Sequence, residues 1–262
     1  MKKYLFLIFK IAVTLYILLC ILLYFFQEKL IFFPEKFNGR YVAAGIEEWP
    51  VKTADGSTLS AVLYKSDSAK GIIFYLHGNA GCINGWGKVA SYYTGMGYDV
   101  FMLDYRGYGK SESHISSEQQ LFDDVQTAYN AVKVKYGEDS TVILGYSIGT
   151  GPAAKLASQN HARMLILQAP YYNLRDMMQR RYPFIPGFIL RYPFKTNEYI
   201  TQCQMPVVIF HGTADGVIPY ESALKLKALF KPSDTLITLQ NWSHNGMTDN
   251  ADYINAVKKL LQ

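Results

Sequence analysis

The stretch that most constrains the fold is Thr141-Val142-Ile143-Leu144, an apolar run that leads directly into Gly145-Tyr146-Ser147-Ile148-Gly149. A G-x-S-x-G segment after a strand makes a sharp strand-to-helix turn. The serine stands exposed on it, and the residues two positions to either side must be small to clear the sheet and the helix. Ala153, Ala154 and Ala157 follow as helix formers. Alone the motif is modest evidence, but the rest of the chain supplies more of the same unit. Further short apolar runs lie at Gly71–Leu76, Tyr98–Leu103, Met164–Leu167, Pro206–Phe210 and Thr235–Leu239, separated by helix-length stretches. In one of these, Leu121, Phe122, Val125, Ala128, Tyr129 and Val132 recur at helical spacing and mark a single buried face. Alternation of this kind predicts an α/β fold, a mainly parallel sheet with helices on both faces. Residues 47–53 and 58–65 alternate around Asp55-Gly56, which predicts a hairpin and hence an antiparallel first edge.

A serine on such a turn is chemically useful only with a base and an acid, which follow it along the chain in the order acid, then histidine. Asp215 lies just after the run Pro206–Phe210, and His244 just after Thr235–Leu239. Both therefore fall at strand C-terminal ends, as Ser147 does. The expected roles are Ser147 as nucleophile, His244 as the base that takes its proton, and Asp215 as the group that fixes the imidazole. An oxyanion hole needs two backbone N–H groups. Ile148 supplies one, and the turn His77-Gly78-Asn79-Ala80-Gly81 supplies the other, assigned to Asn79. Asp104 is the rival acid; its place before Tyr105-Arg106-Gly107 suggests a structural loop instead. His77 and His211, each before a glycine at a strand end, read as turn-packing residues, and His114 and His161 as surface ones. No cluster has metal-ligand spacing, and no phosphate-cradling loop appears. Residues 170–205 break the strand–helix rhythm with Pro183, Pro186 and Pro193 and many rings. Outside a strand's carboxyl end, this stretch is placed as a small lid, with Tyr171, Tyr172, Phe184, Phe188 and Phe194 as substrate-facing residues. The competing reading is a surface loop packed by its own rings.

The N-terminus differs in texture. From Tyr4 to Phe26 the chain is apolar apart from Lys10 and the hydroxyl of Thr14, long enough for a helix that crosses a bilayer. Lys2 and Lys3 before it also fit a secretory signal, but the small residues a cleavage site wants are missing: Tyr24-Phe25-Phe26-Gln27-Glu28-Lys29 follow instead. Bulky Leu18-Leu19 before Cys20 argue against lipidation there. An uncleaved anchor is the expectation, against a buried core helix. Basic residues flank it almost evenly, and the free amino terminus tips the balance toward N-terminus inside and domain outside. Of the net charge of +5, residues 1–40 hold six basic against two acidic residues, and the remainder 20 against 19. A nucleic-acid binder would carry such a surplus on its folded face. With 50% apolar and 18% charged residues the chain is not intrinsically disordered. Its three cysteines make no disulfide framework. The 262 residues divide into an anchor and juxtamembrane segment, 1–36, and one domain, 37–262, with the lid at about 170–205. Because every expected strand and site residue lies after Pro34, the first segment is expected to supply location only.

Taken in order, His77-Gly78-Asn79, Asp104-Tyr105-Arg106-Gly107-Tyr108-Gly109-Lys110-Ser111, Gly145–Gly149, His211–Asp215 and His244-Asn245 resemble the α/β-hydrolase superfamily over residues 45–262. In particular they resemble a membrane-anchored serine-hydrolase branch with a short lid, to which Gln27–Pro34 is also similar. Each piece is unspecific; the ordered set is specific. Trp242-Ser243 before His244 departs from the glycine that many members carry. The resemblance implies the α/β-hydrolase fold and hydrolysis of esters, thioesters or amides without a cofactor. Anchor and lid together suggest a small-molecule or lipid-like acyl substrate met at the membrane. The alternatives are an aminopeptidase-like or small-ester hydrolase, and a catalytically silent binding protein that keeps the pocket.

Overall fold

The computed structural model describes residues 1–42 and 45–262. Eight strands form the main sheet: β1 (Ile46–Glu48), β2 (Ala61–Tyr64), β3 (Gly71–Leu76), β4 (Tyr98–Leu103), β5 (Thr141–Tyr146), β6 (Met164–Gln168), β7 (Val207–Gly212) and β8 (Thr235–Leu239). Their order across the sheet is β1-β2-β4-β3-β5-β6-β7-β8. The pairs β1–β2 and β2–β4 are antiparallel, and every other pair is parallel. The expected hairpin forms, but in two parts. Val51–Lys52 pairs with Thr58–Leu59 next to the turn, while β1 joins β2 in the main sheet beyond Trp49-Pro50.

The central strands are buried on both faces, which is why they read as continuous apolar runs rather than alternating ones. Ile72, Phe74 and Leu76 of β3 belong to the core on one face, with Ile73 and Tyr75 on the other. Helix α1 is the N-terminal Lys2–Phe26, and α2 (Gly87–Thr94) packs on the Ile73 face. On the Phe74 face lie α3 (Glu118–Tyr136) and α4 (Thr150–Ser158). Ser117 caps α3 by accepting the N–H of Gln120, and the residues expected on its inner face are the buried ones. Within residues 170–205 α5 (Leu174–Arg181) and α6 (Thr196–Ile200) form, helices that the proline-broken sequence does not announce. Helices α7 (Glu221–Lys227) and α8 (Ala251–Leu260) complete the chain.

Helix α1 has no buried residue and a mean hydropathy of 2.7 in its most apolar 18-residue window. By length and composition it is a candidate membrane anchor or signal sequence. The segment after it is another matter, and it corrects the boundary expected at residue 36. Gln27 is only 6% exposed. Its side-chain N–H donates to the Ile189 carbonyl at 3.1 Å, and its oxygen accepts from Arg191 N–H at 2.7 Å. Glu28 pairs with Arg191 at 2.7 Å and accepts from the Tyr192 hydroxyl. Phe32, 6% exposed, packs edge-on against Tyr192 in the core. Phe33–Pro34 pairs in parallel with Ala80–Gly81, and Glu35 exchanges backbone hydrogen bonds with Gly81 and Gly109. Residues 27–37 thus pack with the domain. The polar look of Gln27 and Glu28 hid this, because their partners lie about 160 residues downstream.

Candidate active site

The sheet order reverses direction at β3: the chain moves from β3 outward to β4, then crosses to β5 on the opposite side. Loops leaving β3 and β5 diverge there and open a crevice at the strands' carboxyl ends. Ser147 follows β5 at this point with φ 53°, in the left-handed region that a side chain occupies only at a cost of about 1–3 kcal/mol. The turn is held shut by two glycines. A Cβ on Gly149 would stand 2.2 Å from the Leu76 carbonyl oxygen, and one on Gly145 2.6 Å from Ala153 Cβ. Both distances are below contact, so only glycine lets the serine turn sit between β3 and α4.

His244 arrives from the loop after β8. Its Nε2 lies 3.0 Å from Ser147 Oγ and its Nδ1 2.7 Å from Asp215 Oδ2. Because a carboxylate can only accept, Nδ1 carries the proton and Nε2 is left free to accept from the serine hydroxyl. Asp215 is buried. Burial works against its charge, but hydrogen bonds from His211, His244 and the Ile218 N–H outweigh that and hold the carboxyl well below the usual range. Its other oxygen accepts the N–H groups of Val217 and Ile218, each at 2.8 Å. The carboxylate is therefore fixed from both ends and ionised across the neutral range.

The other candidates separate clearly. Asp104 accepts the Ile83 N–H at 2.8 Å and lies 3.4 Å from His77 Nε2. His77 Nδ1–H in turn donates to the Gly78 carbonyl at 2.7 Å. This pair braces the loop after β3, and the contacts of Asp104 include neither Ser147 nor His244. Arg106, buried, clamps Asp124 of α3 and Asp55 of the hairpin turn, which absorbs that motif into the scaffold. Ile148 follows the serine directly. Asn79 sits in the bend after β3, and its side-chain oxygen accepts both the Phe33 N–H at 3.1 Å and the Tyr108 hydroxyl at 3.0 Å.

The five lid rings do not behave alike. Tyr171 and Phe194 are buried core residues, a correction to their expected substrate-facing place. The Tyr171 hydroxyl donates to the Ile148 carbonyl and accepts the Gly151 N–H, so it fastens the start of α4. Phe194 packs against Phe122 of α3. Tyr172 is half-buried, and Phe184 and Phe188 are exposed. Tyr146 went unnoticed in the sequence. Its ring lies 5.4 Å from that of His244, and its hydroxyl donates to the His244 carbonyl at 3.0 Å. Being the variable position of the motif, it gave no signal beyond its own bulk. Among the described residues no group of three or more His, Cys, Asp or Glu could hold a metal ion.

The two carboxylates make an experimental contrast. Asp215→Asn is expected to lower kcat/KM by about 10³–10⁴-fold in a folded protein, because an amide favours the wrong imidazole tautomer. Asp104→Asn is expected to cost about 1–3 kcal/mol of stability through its buried partners, with a kcat/KM change of less than about tenfold. Parallel ester kinetics and thermal melts read both, and the reverse pattern would make Asp104 the acid.

A family model described as "Serine aminopeptidase, S33" matches residues 67–193. Alpha/beta hydrolase domain-containing protein 17B of Homo sapiens is 28% identical over 223 residues, covering 82% of this chain and 75% of that protein. The uncharacterized protein YfhR of Escherichia coli O157:H7 is 28% identical over 255 residues, covering 92% and 87%. Among solved structures, a Pyrococcus furiosus esterase superposes with a TM-score of 0.70 at 18% identity, covering 88% of this chain and 96% of that one. Est1E of Butyrivibrio proteoclasticus, solved with ferulic acid bound, gives 0.65 at 18% identity, covering 80% and 95%. These structures share the fold with this chain.

Proposed function

We propose that this chain, which has the α/β-hydrolase fold and is similar to proteins described as α/β hydrolases, is a membrane-tethered serine hydrolase that cleaves carboxylic ester or thioester bonds through an acyl-enzyme on Ser147. The observation that carries this reading is the unbroken hydrogen-bond chain from Ser147 through His244 to Asp215, with the serine on a strained turn. Ser147 Oγ attacks the substrate carbonyl carbon while His244 Nε2 takes its proton. Asp215 stabilises the imidazolium so formed. The oxyanion is received by the backbone N–H groups of Ile148 and Asn79, which belong to turns in contact through Gly149. His244 then returns the proton to the departing alcohol or thiol. Water, deprotonated by the same nitrogen, attacks the acyl-enzyme and releases the acid. No cofactor is required at any step.

The preference for lipid-like acyl substrates rests on α1, which would hold the domain at a bilayer, and on the lid's exposed rings. Amide hydrolysis is the second reading, favoured by the family model's description. A fluorophosphonate probe is expected to label the wild-type chain at Ser147. An ester and thioester panel of graded acyl length, run beside aminoacyl amides, is expected to favour the longer acyl esters or thioesters. Absence of labelling would sink the nucleophile, whereas labelling with turnover of the amides alone would leave the aminopeptidase-like reading.

A further inference from the structure

One part of the lid is built for something other than covering Ser147. Tyr182-Pro183-Phe184-Ile185-Pro186-Gly187-Phe188-Ile189-Leu190 is a nine-residue stretch without a charge, bounded by Arg180-Arg181 on one side and Arg191 on the other. Phe184 and Phe188 are 85% and 81% exposed, and Tyr182 stands out beside them. Several large apolar side chains held outward on one short loop mark an interaction surface.

What that surface meets follows from its neighbour. The Tyr16 hydroxyl of α1 donates to the Phe184 carbonyl at 2.6 Å. Tyr16 lies ten residues before the end of α1 at Phe26, about 15 Å along the axis at about 1.5 Å per residue. The loop is also fastened at the foot of the helix, where Gln27 holds Ile189 and Arg191. It therefore runs up beside the last ten residues of α1. Part of the polar backbone along this path is satisfied within the protein. A lone hydroxyl or carbonyl is costly in hydrocarbon; here the Tyr16 hydroxyl and the Phe184 carbonyl satisfy one another. Pro183 and Pro186 bring no N–H at all. The Ile185 N–H donates to the Tyr182 carbonyl and the Ile189 N–H to the Pro186 carbonyl. The flanking arginines have stems long enough to reach headgroup phosphates.

We infer that Tyr182–Leu190 is a second membrane-inserted element, whose exposed rings occupy the acyl-chain region of the same bilayer that α1 enters. The inference rests on the membrane reading of α1 given above. It makes this loop an interfacial wedge beside the anchor.

Spin labels in the full chain test it. In a Cys20→Ser background the remaining thiols, Cys82 and Cys203, are buried. Single labels are placed through Phe184→Cys, Phe188→Cys, Leu15→Cys on α1 and Val134→Cys on the exposed face of α3, with the protein in phosphatidylcholine–phosphatidylglycerol vesicles. Labels at 184 and 188 are expected to relax with oxygen and to be shielded from a water-soluble nickel chelate. Their oxygen-to-nickel ratio should match position 15 and stand on the order of tenfold above position 134. If 15 lies in lipid while 184 and 188 respond like 134, the loop faces water and this inference alone is overturned. Shielding of 184 and 188 from both reagents would mean that protein covers the loop, which also overturns it. Nickel access at position 15 would remove the anchor itself, and the inference with it.

Discussion

Ser147→Ala is expected to lower kcat/KM for any ester substrate by a factor of about 10⁴ or more while the domain melts within about 1 kcal/mol of the parent. The asymmetry between the two effects follows from the geometry. The serine hydroxyl makes one hydrogen bond, to His244, and carries none of the packing of the turn, which rests on Gly145 and Gly149. Chemistry, by contrast, has no substitute nucleophile. What survives is the stabilisation offered by the oxyanion N–H groups and by binding, worth roughly 10³–10⁴ over the reaction in water. Steady-state kinetics beside a thermal melt measures both sides. Turnover within about tenfold of wild type in a well-folded variant would move the nucleophile elsewhere and dismantle the proposed mechanism.

Two truncations are expected to part company sharply. Removing residues 1–26 takes away only α1, which has no buried residue, and should leave a protein that hydrolyses a short soluble ester at a near-parental rate. Removing residues 1–36 takes ten more, and with them Phe32 from the core, the Phe33–Pro34 strand and the backbone bonds of Glu35. Burial of one Phe side chain is worth about 1.5–3 kcal/mol, and each lost backbone hydrogen bond about 0.5–1.5 kcal/mol. The Glu28–Arg191 pair, partly exposed, adds little. A deficit of several kcal/mol in a domain of this size lowers the melting temperature by on the order of 10 °C. Activity should fall further than stability alone predicts, because Phe33 N–H is one of the two donors that hold the Asn79 side chain beside the expected oxyanion site. Equal melting temperatures for the two truncated proteins would show that residues 27–36 are a passive linker.

This contrast also marks where a single sequence stops being informative. Strands buried on both faces announce themselves as apolar runs, and β3 and β4 have the very bounds that the runs suggest. The turn at Ser147 was legible because its sterics demand glycine at two fixed places. The partners Asp215 and His244 were legible because chain order and strand ends leave few candidates. The lid rings were not sortable, since Tyr171 and Phe188 differ only in which way the backbone turns them. Nor was Gln27 readable as a buried residue: its partners at 189 and 191 have no periodic relation to it. Local pattern carries information about faces and turns; it is silent about which distant loop will satisfy a lone amide.

The proposed base, His244, depends on the last strand of the sheet. Among the described residues β8 pairs only with β7, its outer positions are partly open to solvent, and His244 hangs from the loop that follows it. Ser147, by contrast, is set in the middle of the sheet between strands buried on both sides. Edges open more readily than centres, at free energies below that of global unfolding. The two halves of the proton relay therefore sit on ground of unequal firmness. Under heat or mild denaturant, activity is expected to be lost before the sheet unfolds and to return when β8 and its loop re-form.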